Sequence, residues 1–152
     1  MTVICQKPAS ARSQIGYVTR DLDRAIDVLA RTFDGTLVER RVGARLEIAD
    51  DETAVVNVGR VTADGFTFKI IEPVSGAVRI WREGLPPSGD LLSHHHLSFT
   101  VDCRSEFEEL LRRHRDDGRR IALSGRNPGL AEFVYIDLTQ TFGHYLELAV
   151  PI

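Results

Sequence analysis

The 152-residue sequence predicts an α+β protein, two tandem βαβββ modules that form one cup-like sheet. Two observations carry that expectation. The stretch QIGYVTRDLDRAIDVLARTFD (14–34) lies in register over HLSFTVDCRSEFEELLRRHRD (96–116), each a short strand, a polar break and an amphipathic helix. The two halves also end alike, KIIEP at 69–73 against ELAVP at 147–151, each reading as a strand closed by a proline.

Taken in order, the first strand (14–18) alternates, with Ile15 and Tyr17 on one side and Gln14, Gly16 and Val18 on the other. Leu22, Ala25, Ile26, Leu29, Ala30 and Phe33 then form a helical stripe, with Asp21 as N-cap. TLVERRV, TAVVNVGR and GFTFKIIE read as three strands. WREGLPPSGD, rich in Gly, Pro and Ser, reads as a linker, so the modules span about 12–78 and 91–152 of a single domain, with the linker at 79–90.

The second copy places Leu97 and Phe99 towards its helix, and His96, Ser98 and Thr100 opposite. Phe107, Leu110 and Leu111 mark the helix stripe, Ser105 and Glu108 a capping box, and Gly118 a stop. RIALSG, AEFVYIDL and GHYLELAV complete the set of strands.

A helix covers only one face of each small sheet, so the other faces enclose a shared cup. Alternation puts Thr67, Lys69 and Ile71 on the cup side of one closing strand, and Tyr145, Glu147 and Ala149 on that of the other. Gln14 and His96 are then repeat-equivalent, as are Lys69 and Glu147, and all four converge. Of the triple histidine 94–96, His96 faces the cup, His95 points away, and His94 lies nearer the loop, at the pocket mouth. Tyr145 and Thr67 are candidate substrate contacts. His144 is a weaker one, because alternation turns it towards the helix layer unless Gly143 carries a bulge. His114 reads as a surface residue of the second helix.

These segments resemble the vicinal oxygen chelate superfamily, which includes glyoxalase I, methylmalonyl-CoA epimerase, extradiol dioxygenases and bleomycin-resistance proteins. The resemblance rests on the order and spacing of QIGYVTRDLDRAI, FKIIEP, HHLSFTVD and VYIDLTQTFGHYLELA. It implies the same paired-module fold, and metal ligands at the positions of Gln14, Lys69, His96 and Glu147. Lys69 departs from that pattern, because an ammonium has no lone pair to give.

Two accounts follow from that departure. In one, Gln14, His96 and Glu147 hold a divalent ion (Fe, Mn, Co, Ni or Zn) and Lys69 holds an anionic substrate. In the other no metal binds. Lys69 then stabilises an enolate or oxyanion while His96 or Glu147 acts as acid–base, His96 being the stronger base because Lys69 depresses the Glu147 carboxyl. No organic cofactor is called for.

The function expected first is therefore a lyase- or isomerase-like enzyme that abstracts a proton next to a carbonyl or carboxylate. A metal-dependent, extradiol-type dioxygenase is second, and a non-catalytic binding or resistance protein third. The substrate is a small organic molecule, aromatic or anionic, with Val18, Ile71, Ala149 and Phe142 as apolar lining. A homodimer is compatible with the family.

Composition removes other classes. A net charge of −3 with no basic face argues against nucleic acid, and no apolar run approaches the ~20 residues of a membrane helix. MTVICQKPASARS lacks the order of a signal peptide, so a cytoplasmic protein with reduced Cys5 and Cys103 is expected.

Overall fold

The computed structural model describes residues 13–152. Eight strands close into a barrel in the order β1-β4-β3-β2-β6-β7-β8-β5. The first module supplies β1 (Ser13–Thr19), α1 (Leu22–Thr32), β2 (Thr36–Ile48), β3 (Glu52–Ala63) and β4 (Phe66–Gly76). A short helix α2 (Arg79–Glu83) follows. The second module supplies β5 (Leu92–Thr100), α3 (Arg104–Asp116), β6 (Ile121–Asn127), β7 (Ala131–Leu138), α4 (Thr139–Phe142) and β8 (His144–Pro151).

Within each module the first and last strands pair in parallel, β1 with β4 and β5 with β8. The modules join antiparallel, through β1–β5 on one side and through a short β2–β6 contact, Glu47 opposite Arg126 and Ile48 opposite Gly125, on the other. That short contact turns the expected cup into a closed ring.

The helices behave as amphipathic covers. Asp21 caps α1 by accepting from the Arg24 amide at 3.1 Å, and Leu22, Ala25, Ile26 and Leu29 bury against Val61, Phe68 and Ile70. Ile15 and Tyr17 join this layer as expected. In the second module α3 lies over β7 and β8, where Phe107 and Leu111 meet Val134, Ile136 and Leu148. Phe99 therefore gains no helix cover and stays 43% exposed, contrary to the expectation for it.

Three local readings are corrected. The N-cap of α3 is Cys103, so Ser105 falls inside the first turn, where it cannot form the box with Glu108. Cys103 is not a free thiol, against the reduced state expected of it, while Cys5 lies outside the described residues. Pro73 does not close β4, which runs on to Gly76. It sits opposite Val56 where the β3 register shifts, a bulge that spares the missing amide.

The linker does more than connect. Its helix α2 inserts Ile80 and Trp81, with Val78 before them, into the barrel core beside Val18, Val56, Val58, Phe133 and Tyr135. Trp81 is 1% exposed, and its Nε1–H donates to the Tyr135 hydroxyl at 3.2 Å. Among the described residues no helix is long and apolar enough to cross a membrane.

Candidate active site

Strand alternation carries polar groups into an otherwise apolar barrel. On the edge shared by the modules, Gly16 pairs with Lys69 on one side and His96 on the other, and Gln14 pairs with Ser98, which pairs with Glu147. The inward direction expected for Gln14, Lys69, His96 and Glu147 is the one the strands adopt. His96, Ser98 and Glu147 are all buried.

The centre of the site is an ion pair. Lys69 Nζ lies 3.2 Å from Glu147 Oε1 and 3.4 Å from Oε2, and donates to both. The Ser98 hydroxyl donates to Oε1 at 2.7 Å. The Tyr135 hydroxyl, itself accepting from Trp81, lies beside Glu147 and helps to lower its carboxyl. Burial by itself would raise the Glu147 carboxyl. The Lys69 charge overrides it, helped by His96, Tyr135 and Ser98, and brings the carboxyl down to about 2. Burial pushes the Lys69 ammonium down, with Glu147 opposing. Burial also holds the Tyr135 hydroxyl well above its usual range, so it remains a donor.

Next to this pair stands a histidine chain. The register of β5 against β1 shifts between Gly16 and Tyr17, which face His96 and His94, so His95 is the extra residue of a bulge. That is why His95 does not point away as alternation predicted. It is buried between Ile80 and His96, with Nε2 2.9 Å from the Ile80 carbonyl and Nδ1 3.0 Å from His96 Nδ1.

The carbonyl can only accept, so His95 Nε2 carries the hydrogen. Burial lowers the His95 ring to about 4 and holds His96 well below the usual range, so both are neutral at pH 7. His95 Nδ1 must then accept, His96 Nδ1 must donate, and His96 Nε2 is left as a lone pair. That atom is buried with no hydrogen-bond partner. The His96 ring lies over Gly16, where any Cβ would overlap it.

A cavity of about 120 Å³ opens onto the ion pair. Gln14, Lys69, Ser98, Thr100 and Glu147 line it, with Ile71, Ala149 and Trp81 as apolar wall. Arg41 from β2 and Arg60 from β3 also reach it, two residues that the sequence did not single out. Arg60 continues the inward alternation of Val56 and Val58, which was the signal available for it. Tyr135 shared that kind of signal with Phe133, but nothing in the linker composition pointed to Trp81.

The proposed donor set does not fit a divalent ion. Among the described residues no group of three His, Cys, Asp or Glu side chains is placed to hold one. The Lys69 ammonium occupies both oxygens of Glu147, and Arg41 and Arg60 add positive charge to the same walls.

Other candidate residues lie elsewhere. His94, His144 and Tyr145 line a separate outer hollow beside Gly84 and Thr139, with His94 and His144 rings 5.2 Å apart and His94 also against Tyr17. The αL glycine Gly143 ends α4 and turns His144 out to that hollow. Thr67 is on β4 but does not line the Lys69 cavity, and Phe142 is 61% exposed on α4 instead of forming apolar lining. His114, on α3, pairs with Arg119, which lies just beyond the helix.

The fold is of a defined class, two βαβββ modules paired into one closed barrel, and solved structures share it. Among solved structures, methylmalonyl-CoA epimerase from Mycobacterium tuberculosis superposes with a TM-score of 0.60 and 16% identity, over 100% of this chain and 93% of that one. The Streptomyces coelicolor methylmalonyl-CoA epimerase in complex with 2-nitronate-propionyl-CoA gives 0.61 and 17%, over 94% and 99%. A hypothetical protein from Bacillus halodurans C-125 gives 0.63 and 10%, over 95% and 96%. No family model and no curated protein sequence matches the chain.

Proposed function

We propose that the chain is an isomerase-type enzyme that removes and returns a proton next to a carbonyl or carboxylate of a small organic molecule, without a metal. One observation carries the reading: an ammonium and a carboxylate 3.2 Å apart on the wall of an internal cavity. The likeness in fold to methylmalonyl-CoA epimerases supports the isomerase class.

The chemistry follows from sharing Lys69. In the free protein the ammonium holds Glu147 ionised but weakly basic. A substrate oxygen that reaches Lys69 draws the ammonium towards itself and raises the basicity of Glu147 at the same moment. Glu147 takes the α-proton, and negative charge grows on the oxygen that Lys69 already touches, so the charge is stabilised where it develops. Ser98 and Tyr135 keep the carboxylate aimed. His96, neutral and fully buried against Gly16, stands behind the cavity wall and does not line it, so the proton transfer is assigned to Glu147.

The test is deuterium wash-in. The protein in D₂O is incubated with 2-substituted carboxylic acids and with acyl thioesters, and loss of the α-proton signal is followed by NMR. Lys69→Met should slow exchange by roughly 100-fold or more, the scale of losing one oxyanion donor. Absence of exchange across both compound classes would remove the enzyme reading.

A further inference from the structure

We infer that the cavity is a receptor for a small free carboxylate, held by Arg41 and Arg60 while its neighbouring carbonyl oxygen reaches Lys69. The inference rests on the function proposed above and narrows its substrate class.

Charge is the first support. Three cationic side chains, Arg41, Arg60 and Lys69, line the cavity against one carboxylate, Glu147. Arg60 and Lys69 are moreover direct cross-strand partners on β3 and β4, a placement of like charges that disfavours the folded sheet unless an anion sits between them. Glu147 answers Lys69, and Glu39 pairs with Arg60 and lies 3.8 Å from Arg41 Nε. The last separation is too long for a hydrogen bond.

Unspent donors are the second support. The Nε–H groups of Arg41 and Arg60 are both buried without an acceptor. A buried donor left unmade is costly, and a guanidinium is shaped to take a carboxylate. An anion that bonds both satisfies them and separates the like charges.

Size is the third. A volume of about 120 Å³ corresponds to about four waters at ~30 Å³ each, enough for a handful of non-hydrogen atoms. Drug-sized ligands occupy ~300–1,000 Å³. The cavity suits a short 2-oxo or 2-substituted acid, and it cannot enclose more than the acyl tip of a thioester.

Calorimetric titration of the full chain with pyruvate, with its uncharged isostere pyruvamide and with propionyl-CoA tests the inference. Pyruvate should bind at least about tenfold more tightly than pyruvamide, the scale of a charge-assisted hydrogen bond. Arg41→Gln and Arg60→Gln should each erase that preference while retaining the wild-type near-UV circular dichroism. Equal binding of acid and amide, or binding of propionyl-CoA alone, overturns the inference; both are read on the wild type, so no variant need fold. Carboxylate binding without α-proton exchange in any compound would sink the enzyme reading and leave this one standing. Exchange on a thioester with no carboxylate binding does the reverse.

Discussion

Lys69 and Glu147, 78 residues apart in the chain, meet inside the barrel with Nζ 3.2 Å from Oε1 and side chains 14% and 6% exposed. Each is the buried counter-charge of the other. Lys69→Met should cost about 3–5 kcal/mol in urea unfolding, because it leaves a carboxylate buried and uncompensated. The double variant Lys69→Met/Glu147→Gln should recover a large part of that loss, and simple additivity of the two single effects would refute the coupling.

The pH dependence of stability follows from the same carboxylate. Glu147 is lowered from its usual 4.5 to about 2 in the folded protein. Its contribution is therefore present above pH 4.5 and is lost as pH falls towards about 2, where the folded form also takes the proton. Unfolding free energies measured across that window should slope in the wild type and flatten in Glu147→Gln.

His95 adds a second window. Its ring is lowered from 6.5 to about 4 by burial, so the unfolded chain binds the proton first. Stability should be full above pH 6.5 and decline as pH falls towards about 4, and His95→Gln should make that slope shallower, the buried His96 retaining its share.

His95 also decides which nitrogen of His96 is bare. Long-range ¹H–¹⁵N NMR should show His96 Nδ1 protonated and Nε2 pyridine-like at neutral pH. His95→Gln should preserve this pattern, since a side-chain amide can donate to the Ile80 carbonyl and accept from His96. His95→Met should let the tautomers mix. A protonated Nε2 in the wild type would contradict the hydrogen-bond chain that runs through Ile80.

Gly16 is the space in which His96 lies. Gly16→Ala puts a methyl group into the imidazole, which His95 holds in place, and should destabilise by about 1–3 kcal/mol as an overpacked core does. Trp81→Ala removes the largest side chain of the linker plug, and should cost about 3–5 kcal/mol while enlarging the cavity. Denaturant melts read both, and a neutral Trp81→Ala would mean that α2 does not seal the barrel.

Much of this architecture can be read in one dimension because it depends on local period. Alternation along 14–18, 66–71, 96–100 and 145–149 is enough to place Gln14, Lys69, His96 and Glu147 on the inward face, and the repeat is enough to pair them. The helix stripes and the Asp21 cap are local in the same way.

Three of the exceptions share one cause, since each depends on what another element of the fold does. A bulge on β5 turned His95 inward, placement of α3 over β7 and β8 left Phe99 bare, and the opposite register shift let Pro73 remain within β4.

By itself, then, the sequence determined two modules, their repeat-related polar residues and the presence of a lysine at the position equivalent to Glu147. Only the tertiary structure decided what that lysine touches. Closing the barrel through β1–β5 and β2–β6 and laying α2 into the core made Arg60, Arg41, Tyr135 and Trp81 converge on Lys69 and Glu147. Residue type and period report which way a side chain points. Charge balance, desolvation and the volume of a cavity belong to the neighbours that folding supplies.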